Sequence, residues 1–208
     1  MNRRRLMAFE KSGGGLPEGY TAVNCLQSSG TQWIEMGVAP NQNTKAVLKI
    51  KINVFTDKGA SLIGSRTDVN SNDQFTTYLD GYEGTRFLFR MDGQTEGNSW
   101  TGLTTDKIYI VTLSGTEMKA ELEDGTAVFS KTLSVNDFTS TVTMALFRAK
   151  GINASYFQGR IYGCKHYSGD ELIQDFVPCL DTDGVPCMYD LISKTAFYNQ
   201  GTGSFTWG

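Results

Sequence analysis

Histidine is nearly absent from this chain: His166 is the only one in 208 residues. A Ser-His-Asp triad would have to be built on it, yet it lies in strand-like sequence beside Lys165, with no nucleophile-elbow pattern nearby. The four cysteines, Cys25, Cys164, Cys179 and Cys187, fit no zinc spacing, and one histidine cannot complete a set. Long apolar runs are missing too. None approaches the roughly 18 residues of a membrane span. Leu6 to Phe9, behind the N-terminal arginines, falls short of the about 7 apolar residues that a secretory signal needs. The expectation is therefore a chain that folds in the cytoplasm of the cell that makes it. Basic charge is also in short supply: 19 Lys and Arg against 22 Asp and Glu leave a net charge of −3. With Arg3-Arg4-Arg5 as the only basic cluster, a nucleic-acid-binding surface is not expected.

What is present is glycine (23 residues), threonine, serine, asparagine and aromatic side chains, a mixture that suits short strands joined by tight turns. Residues 1–19 read as an arm: a basic, partly apolar head, a Ser12-Gly13-Gly14-Gly15 joint, and the stop Leu16-Pro17. The folded domain is expected over residues 20–208. Leu48, Ile50, Ile52 and Val54 alternate with Lys49, Lys51 and Asn53, the mark of a strand with one packed and one wet face. Phe87, Phe89 and Met91 repeat this, as do Met118, Ala120 and Leu122.

Further strands are expected over 21–27, 33–38, 61–66, 74–79, 108–113, 127–133, 141–148, 156–167 and 171–177. Phe157, Ile161 and Gly163 are read as one face of the penultimate one, against Arg160, Tyr162 and Cys164, and Pro178 is read as ending the last, because it has no ladder donor. Asp-Gly steps at 80, 92, 124 and 183 punctuate them, and Glu123 to Thr126 is the clearest hairpin turn. A small closing hairpin is expected from Tyr189-Asp190-Leu191 to Phe197-Tyr198-Asn199, and one short turn at Val135 to Phe138. About a dozen short strands without βαβ spacing predict an all-β sandwich or barrel.

Two stretches go beyond generic strand pattern. The first is Asn24-Cys25-Leu26-Gln27-Ser28-Ser29-Gly30-Thr31-Gln32-Trp33-Ile34-Glu35-Met36-Gly37-Val38; the second is the tail from Phe157 to Gly208, with its Tyr189-Asp190-Leu191 and Phe197-Tyr198-Asn199-Gln200-Gly201-Thr202-Gly203. Together with Ile63-Gly64-Ser65-Arg66-Thr67, they resemble the opening, closing and middle motifs of laminin-G/concanavalin A-like domains found in many bacteriophage and prophage structural proteins. The resemblance covers about Tyr20 to Gly208. It departs where Cys25 replaces an aromatic, Trp33 a tyrosine, Glu35-Met36 an Asp-Thr pair, and Gln174 a frequent arginine.

The resemblance implies a two-sheet antiparallel jelly-roll sandwich with an extended N-terminal arm. It also implies a non-enzymatic virion protein: a capsid decoration, a head fibre or a tail-associated adhesin. Arg3, Arg4, Arg5, Leu6 and Phe9 would anchor the arm to capsid or tail proteins, and the virion would be assembled in the bacterial cytoplasm. A homo-oligomer is compatible with this, since virion appendages are usually symmetric. The alternative is a bacterial carbohydrate-binding module.

For sugar contact the candidates are Trp100 and Asn98, in the polar Glu96 to Gly102 segment, and Tyr82; exposed aromatics take the apolar sugar face and Asn takes hydroxyls. Each has a plainer role as a core cap or subunit contact. Glu121 and Glu123 share a face as paired carboxylates of a glycosidase would, but Lys119 on the same face favours a solvated edge strand. Asp181-Thr182-Asp183-Gly184 has the rhythm of a calcium loop without the further ligands, so a turn is expected. No catalytic residue, metal or cofactor is assigned. Cys179 and Cys187 either close a small loop through Pro178, Gly184 and Pro186 or remain free thiols acting as small apolar residues.

Overall fold

The computed structural model describes residues 15–56, 59–67, 73–81, 86–91, 98–151 and 155–208, with only the backbone at positions 80, 98 and 155. Every regular element among these residues is a β-strand. They form two stacked sheets, one with eleven strands and one with nine. The larger runs in the order Ala127–Thr132, Glu117–Leu122, Ile108–Ser114, Thr44–Ile52, Gln158–Ser168, Glu171–Leu180, Pro186–Asp190, Thr195–Tyr198. Leu26–Ser29 adds to the Gln158–Ser168 strand and carries Thr206–Trp207 on its far side, while Thr21–Ala22 adds to Glu171–Leu180. The smaller sheet is built on Gln74–Asp80, flanked by Arg86–Met91 and by the bent pair Ala60–Ser61 and Ile63–Arg66; Ala145–Leu146 and Ile34–Glu35 follow outward. Pairing is antiparallel except at two short contacts, Ala149–Lys150 with Ile63–Arg66 and Ser155–Tyr156 with Ala60–Ser61.

The alternation read in the sequence sets the core. Ala46, Leu48, Ile50 and Ile52 are at most 1% exposed, and they face Phe75, Phe89 and Met91 of the other sheet within one continuous cluster. Gly64 lets the sheet close: with φ at +154°, a Cβ there would stand 2.3 Å from the Phe75 carbonyl oxygen. The Glu123 to Thr126 turn forms as expected, with the Asp124 carboxylate accepting the Thr126 N–H at 2.8 Å and Gly125 at positive φ.

Several expectations change. No helical turn forms at Val135 to Phe138; this segment is extended, and Val135 lies where a side chain on Gly115 would otherwise go. Pro178 does not end its strand, which continues to Leu180: Pro178 falls opposite Met188 and turns its carbonyl away, to Val23 N–H at 3.2 Å, so the ladder with Pro186–Asp190 does not need its missing N–H. The single strand expected over 156–167 is two. Tyr156 pairs in the smaller sheet and Gln158 in the larger, so Phe157, fully buried, is the crossing point. A bulge between Ile161 and Gly163 then shifts the alternation by one residue. Cys164, read as outward-facing, consequently lies in the main core, and His166 points inward as well.

Candidate functional site

Trp100 is not a surface platform. It is 8% exposed, stacked on Phe129 (5.7 Å between centroids, 14° between planes) and edge-on to Tyr109 at 5.7 Å. The reason is pairing: Asn98–Trp100 forms a three-residue strand against Arg86–Met91, placing Trp100 opposite the buried Phe87. Three residues are too few to show a period. The side chain of Asn98, Tyr82, and the arm residues Arg3, Arg4, Arg5, Leu6 and Phe9 lie outside the described residues.

The acidic features are occupied. Glu121 pairs with Lys119 at 2.7 Å and Glu123 with Lys49 at 2.5 Å. The Asp181 carboxylate accepts the Asp183 and Val185 N–H groups at 2.9 and 2.8 Å and the Tyr198 hydroxyl at 3.0 Å. The Val185 N–H foremost holds its carboxyl below the ordinary range, so this is a self-capped turn. His166 is buried, and burial pushes its pKa down. Its Nδ1–H donates to Gln174 Oε1 at 2.9 Å, because Gln174 Nε2 is committed to the Met36 carbonyl at 2.8 Å.

The two motif stretches meet each other. The Gln32 side-chain oxygen accepts from Ser28 Oγ and Ser29 N–H at 3.0 and 2.9 Å, folding the Ser28 to Gln32 segment on itself. Asn199 Oδ1 accepts from Trp33 and Gly201 N–H at 3.1 and 2.9 Å, and Asn199 Nδ2 donates to the Gly203 carbonyl at 2.8 Å. Thr31 and Thr202 bond each other through side chain and backbone. Gly201 lies so near Thr31 that a Cβ would stand 1.9 Å from its carbonyl oxygen. These residues latch the segment leading into Ile34–Glu35 to the one that follows Thr195–Tyr198.

The latch also positions a surface group that sequence reasoning missed. Trp33 and Glu35 flank the fully buried Ile34, and Arg148 and Lys150 flank the fully buried Ala149, so each pair is half-exposed at neighbouring parts of the smaller sheet, with Trp33 also packed against the core. The Arg148 guanidinium lies 4.9 Å from the Trp33 ring centroid and 5.1 Å from that of Tyr156, and donates to the Tyr156 hydroxyl at 3.3 Å. Beside it, Lys150 bridges Glu35 at 2.5 Å and Thr143 Oγ1 at 2.7 Å. Phe147 sets the aim of Arg148. It is fully buried and adopts φ of +68°, a left-handed conformation that a bulky side chain holds only when its surroundings compel it. Its backbone is held on both sides, by Leu62 and by Phe157, at 2.8 Å each. Short outward pairs such as Trp33/Glu35 and Arg148/Lys150 were the available sequence signal.

A second polar-aromatic surface covers the larger sheet. Lys45 lies over Tyr167 at 5.0 Å and Lys49 over Tyr162 at 5.4 Å, with Arg160 Nε donating to Gln27 at 2.8 Å.

No family model matches the sequence, and no curated protein matches it. Solved structures do share its fold. One, titled "putative carbohydrate binding protein from Bacteroides ovatus", superimposes with a TM-score of 0.61 at 12% identity, covering 90% of this chain and 60% of that one. This chain thus spans 60% of the length of the Bacteroides protein. A native heptameric SAP-like pentraxin from Limulus polyphemus gives 0.49 at 11% identity, covering 91% and 94% of the two chains. Domains LG4-5 of the mouse laminin α1 chain give 0.44 at 16% identity, covering 84% and 49%. The chain is an all-β, two-sheet jelly-roll sandwich, a fold it shares with the Bacteroides protein.

Proposed function

We propose that this chain is a non-enzymatic carbohydrate-binding domain whose recognition surface is the Trp33–Arg148–Tyr156 group, extended by Glu35 and Lys150. The observation that carries the reading is the two half-buried aromatic rings set around one guanidinium at the ends of short strands, beside a carboxylate, an ammonium and a hydroxyl. Rings offer flat apolar area to sugar C–H faces, and the polar groups offer donors and acceptors for hydroxyls. The shared fold with the Bacteroides protein, which is described as carbohydrate binding, supports the same reading.

A glycan array followed by calorimetry tests it. Arg148→Gln and Tyr156→Ala should each weaken the best sugar by about tenfold or more, equivalent to about 1.4 kcal/mol, while Lys45→Gln on the opposite sheet and Trp207→Ala on the exposed edge should not. Binding to no sugar, or loss only with Lys45→Gln or Trp207→Ala, removes the assignment. Release of reducing ends from a bound polysaccharide would remove the word non-enzymatic.

A second, finer reading places the domain on a bacteriophage particle, with residues 1–14 as tether; the motif stretches Asn24 to Val38 and Phe157 to Gly208 favour it. Deleting residues 1–14 should then abolish incorporation into particles and leave sugar affinity unchanged. Normal incorporation of the truncated chain would refute the tether.

A further inference from the structure

Cys179 and Cys187 are directly opposed in the register of Glu171–Leu180 and Pro186–Asp190, with sulfurs 3.4 Å apart. The neighbouring prolines define the pair. Pro178 and Pro186 have no N–H, so Pro178↔Met188 and Leu180↔Pro186 take the positions without ladder bonds, and Cys179↔Cys187 is a hydrogen-bonded pair. The Asp181 N–H to Val185 carbonyl bond, at 3.0 Å, continues the same alternation. Opposed residues of this kind have Cα atoms about 5.5 Å apart, inside the roughly 4.4–6.8 Å that a disulfide bridges.

These cysteines do not belong to the main core. With Tyr189 they form a separate small cluster, covered by Leu16 and Tyr20. Val177, Leu191 and Ala196 pack on the same cluster. Gly15 lies against Leu191, Tyr20 N–H bonds the Pro17 carbonyl at 3.2 Å, and the Tyr20 ring meets Tyr189 edge-on at 5.4 Å. Residues 15–20 belong to neither sheet, so they can lift off this cluster without parting the two sheets. Cys164 offers no such route, since it is fully buried in the main core and burial pushes its thiol pKa up.

We propose that Cys179 and Cys187 form a reversible dithiol–disulfide site and that the 15–20 segment controls access to it. The oxidant is a small-molecule disulfide, RSSR. The Cys179 thiolate attacks one sulfur of RSSR and expels RS⁻, leaving a mixed disulfide. The Cys187 thiolate then attacks the Cys179 sulfur, forms the protein disulfide and expels the second RS⁻. Two electrons pass to the reagent, and the two thiol protons end on two RSH. Cys179 reacts first: its hydrogen bond with Cys187 lowers its pKa, whereas that same bond and burial raise the pKa of Cys187.

The test exposes the folded full chain to oxidised glutathione and follows intact mass, alkylatable thiols and cross-linked peptides. The expected product has lost two hydrogens and two of its four thiols, carries a 179–187 cross-link, and is restored by dithiothreitol. Cys187→Ser should stop at the mixed disulfide. Leu16→Ser and Tyr20→Ala, shown to be folded by their melting curves, should oxidise several-fold faster than the parent chain. No cross-link, or one involving Cys25 or Cys164, overturns the site. A cross-link forming equally fast in the two cover variants overturns the gate.

Discussion

Replacing Asp190 by alanine tests the tail of this fold most directly. Asp190 has no exposed surface, yet no cation faces it in an ion pair among the described residues. Its charge is instead met by backbone dipoles: Oδ1 accepts the N–H groups of Asp175 at 2.7 Å and Ile192 at 3.1 Å, and Oδ2 that of Ser193 at 3.1 Å. A hydrogen bond to a charged group contributes about 1.5–3 kcal/mol, and a buried donor left without a partner costs about 1–3 kcal/mol. The three do not add fully, because Ile192 is 49% exposed and water can reach that end of the turn.

The Asp175 N–H, between strands, is the one that alanine strands. Asp190→Ala is therefore expected to cost about 3–4 kcal/mol. Asp190→Asn keeps an acceptor for Asp175 and Ile192 and turns an amide toward Ser193, costing about 1–2 kcal/mol. In urea, with a slope of about 2–3 kcal/mol/M, the alanine midpoint falls by about 1–2 M, readable by tryptophan fluorescence. An alanine midpoint within about 0.3 M of the parent, or an asparagine variant as damaged as the alanine one, would refute this account of the buried carboxylate.

Three further outcomes are expected. His166 has a pKa lowered chiefly by burial, so the folded chain resists a proton that the unfolded chain accepts. Stability is complete above the ordinary value of 6.5 and declines as pH falls through it toward the depressed folded value; urea midpoints across that window should show the slope, and His166→Gln should flatten it. Gly201→Ala forces a methyl against the Thr31 carbonyl and should cost at least about 2 kcal/mol in thermal unfolding. Trp100→Ala should cost about 3–5 kcal/mol as a buried aromatic, while sugar affinity of the folded fraction, measured by calorimetry, stays unchanged.

The division between sequence and structure follows the range of the forces involved. Alternation along one strand is local: Leu48, Ile50 and Ile52 must share a face wherever their neighbours lie, and glycine after Asp124 permits its turn in any fold. The strand content, the sandwich class and the turn at Asp181 were legible on that basis, whereas Glu117–Leu122, read as an edge strand, is paired on both sides. Alternation carries no record of a bulge, and the one at Ile161–Gly163 reverses the facing of Cys164. Nor does a three-residue strand reveal its facing, so Trp100 reads as a surface ring until its partner Phe87 is known. The meeting of Trp33, Arg148 and Tyr156 depends on register between distant segments and on the forced turn at Phe147. Register is set by how both sheets bury their apolar faces at once, and that is a property of the whole packed chain.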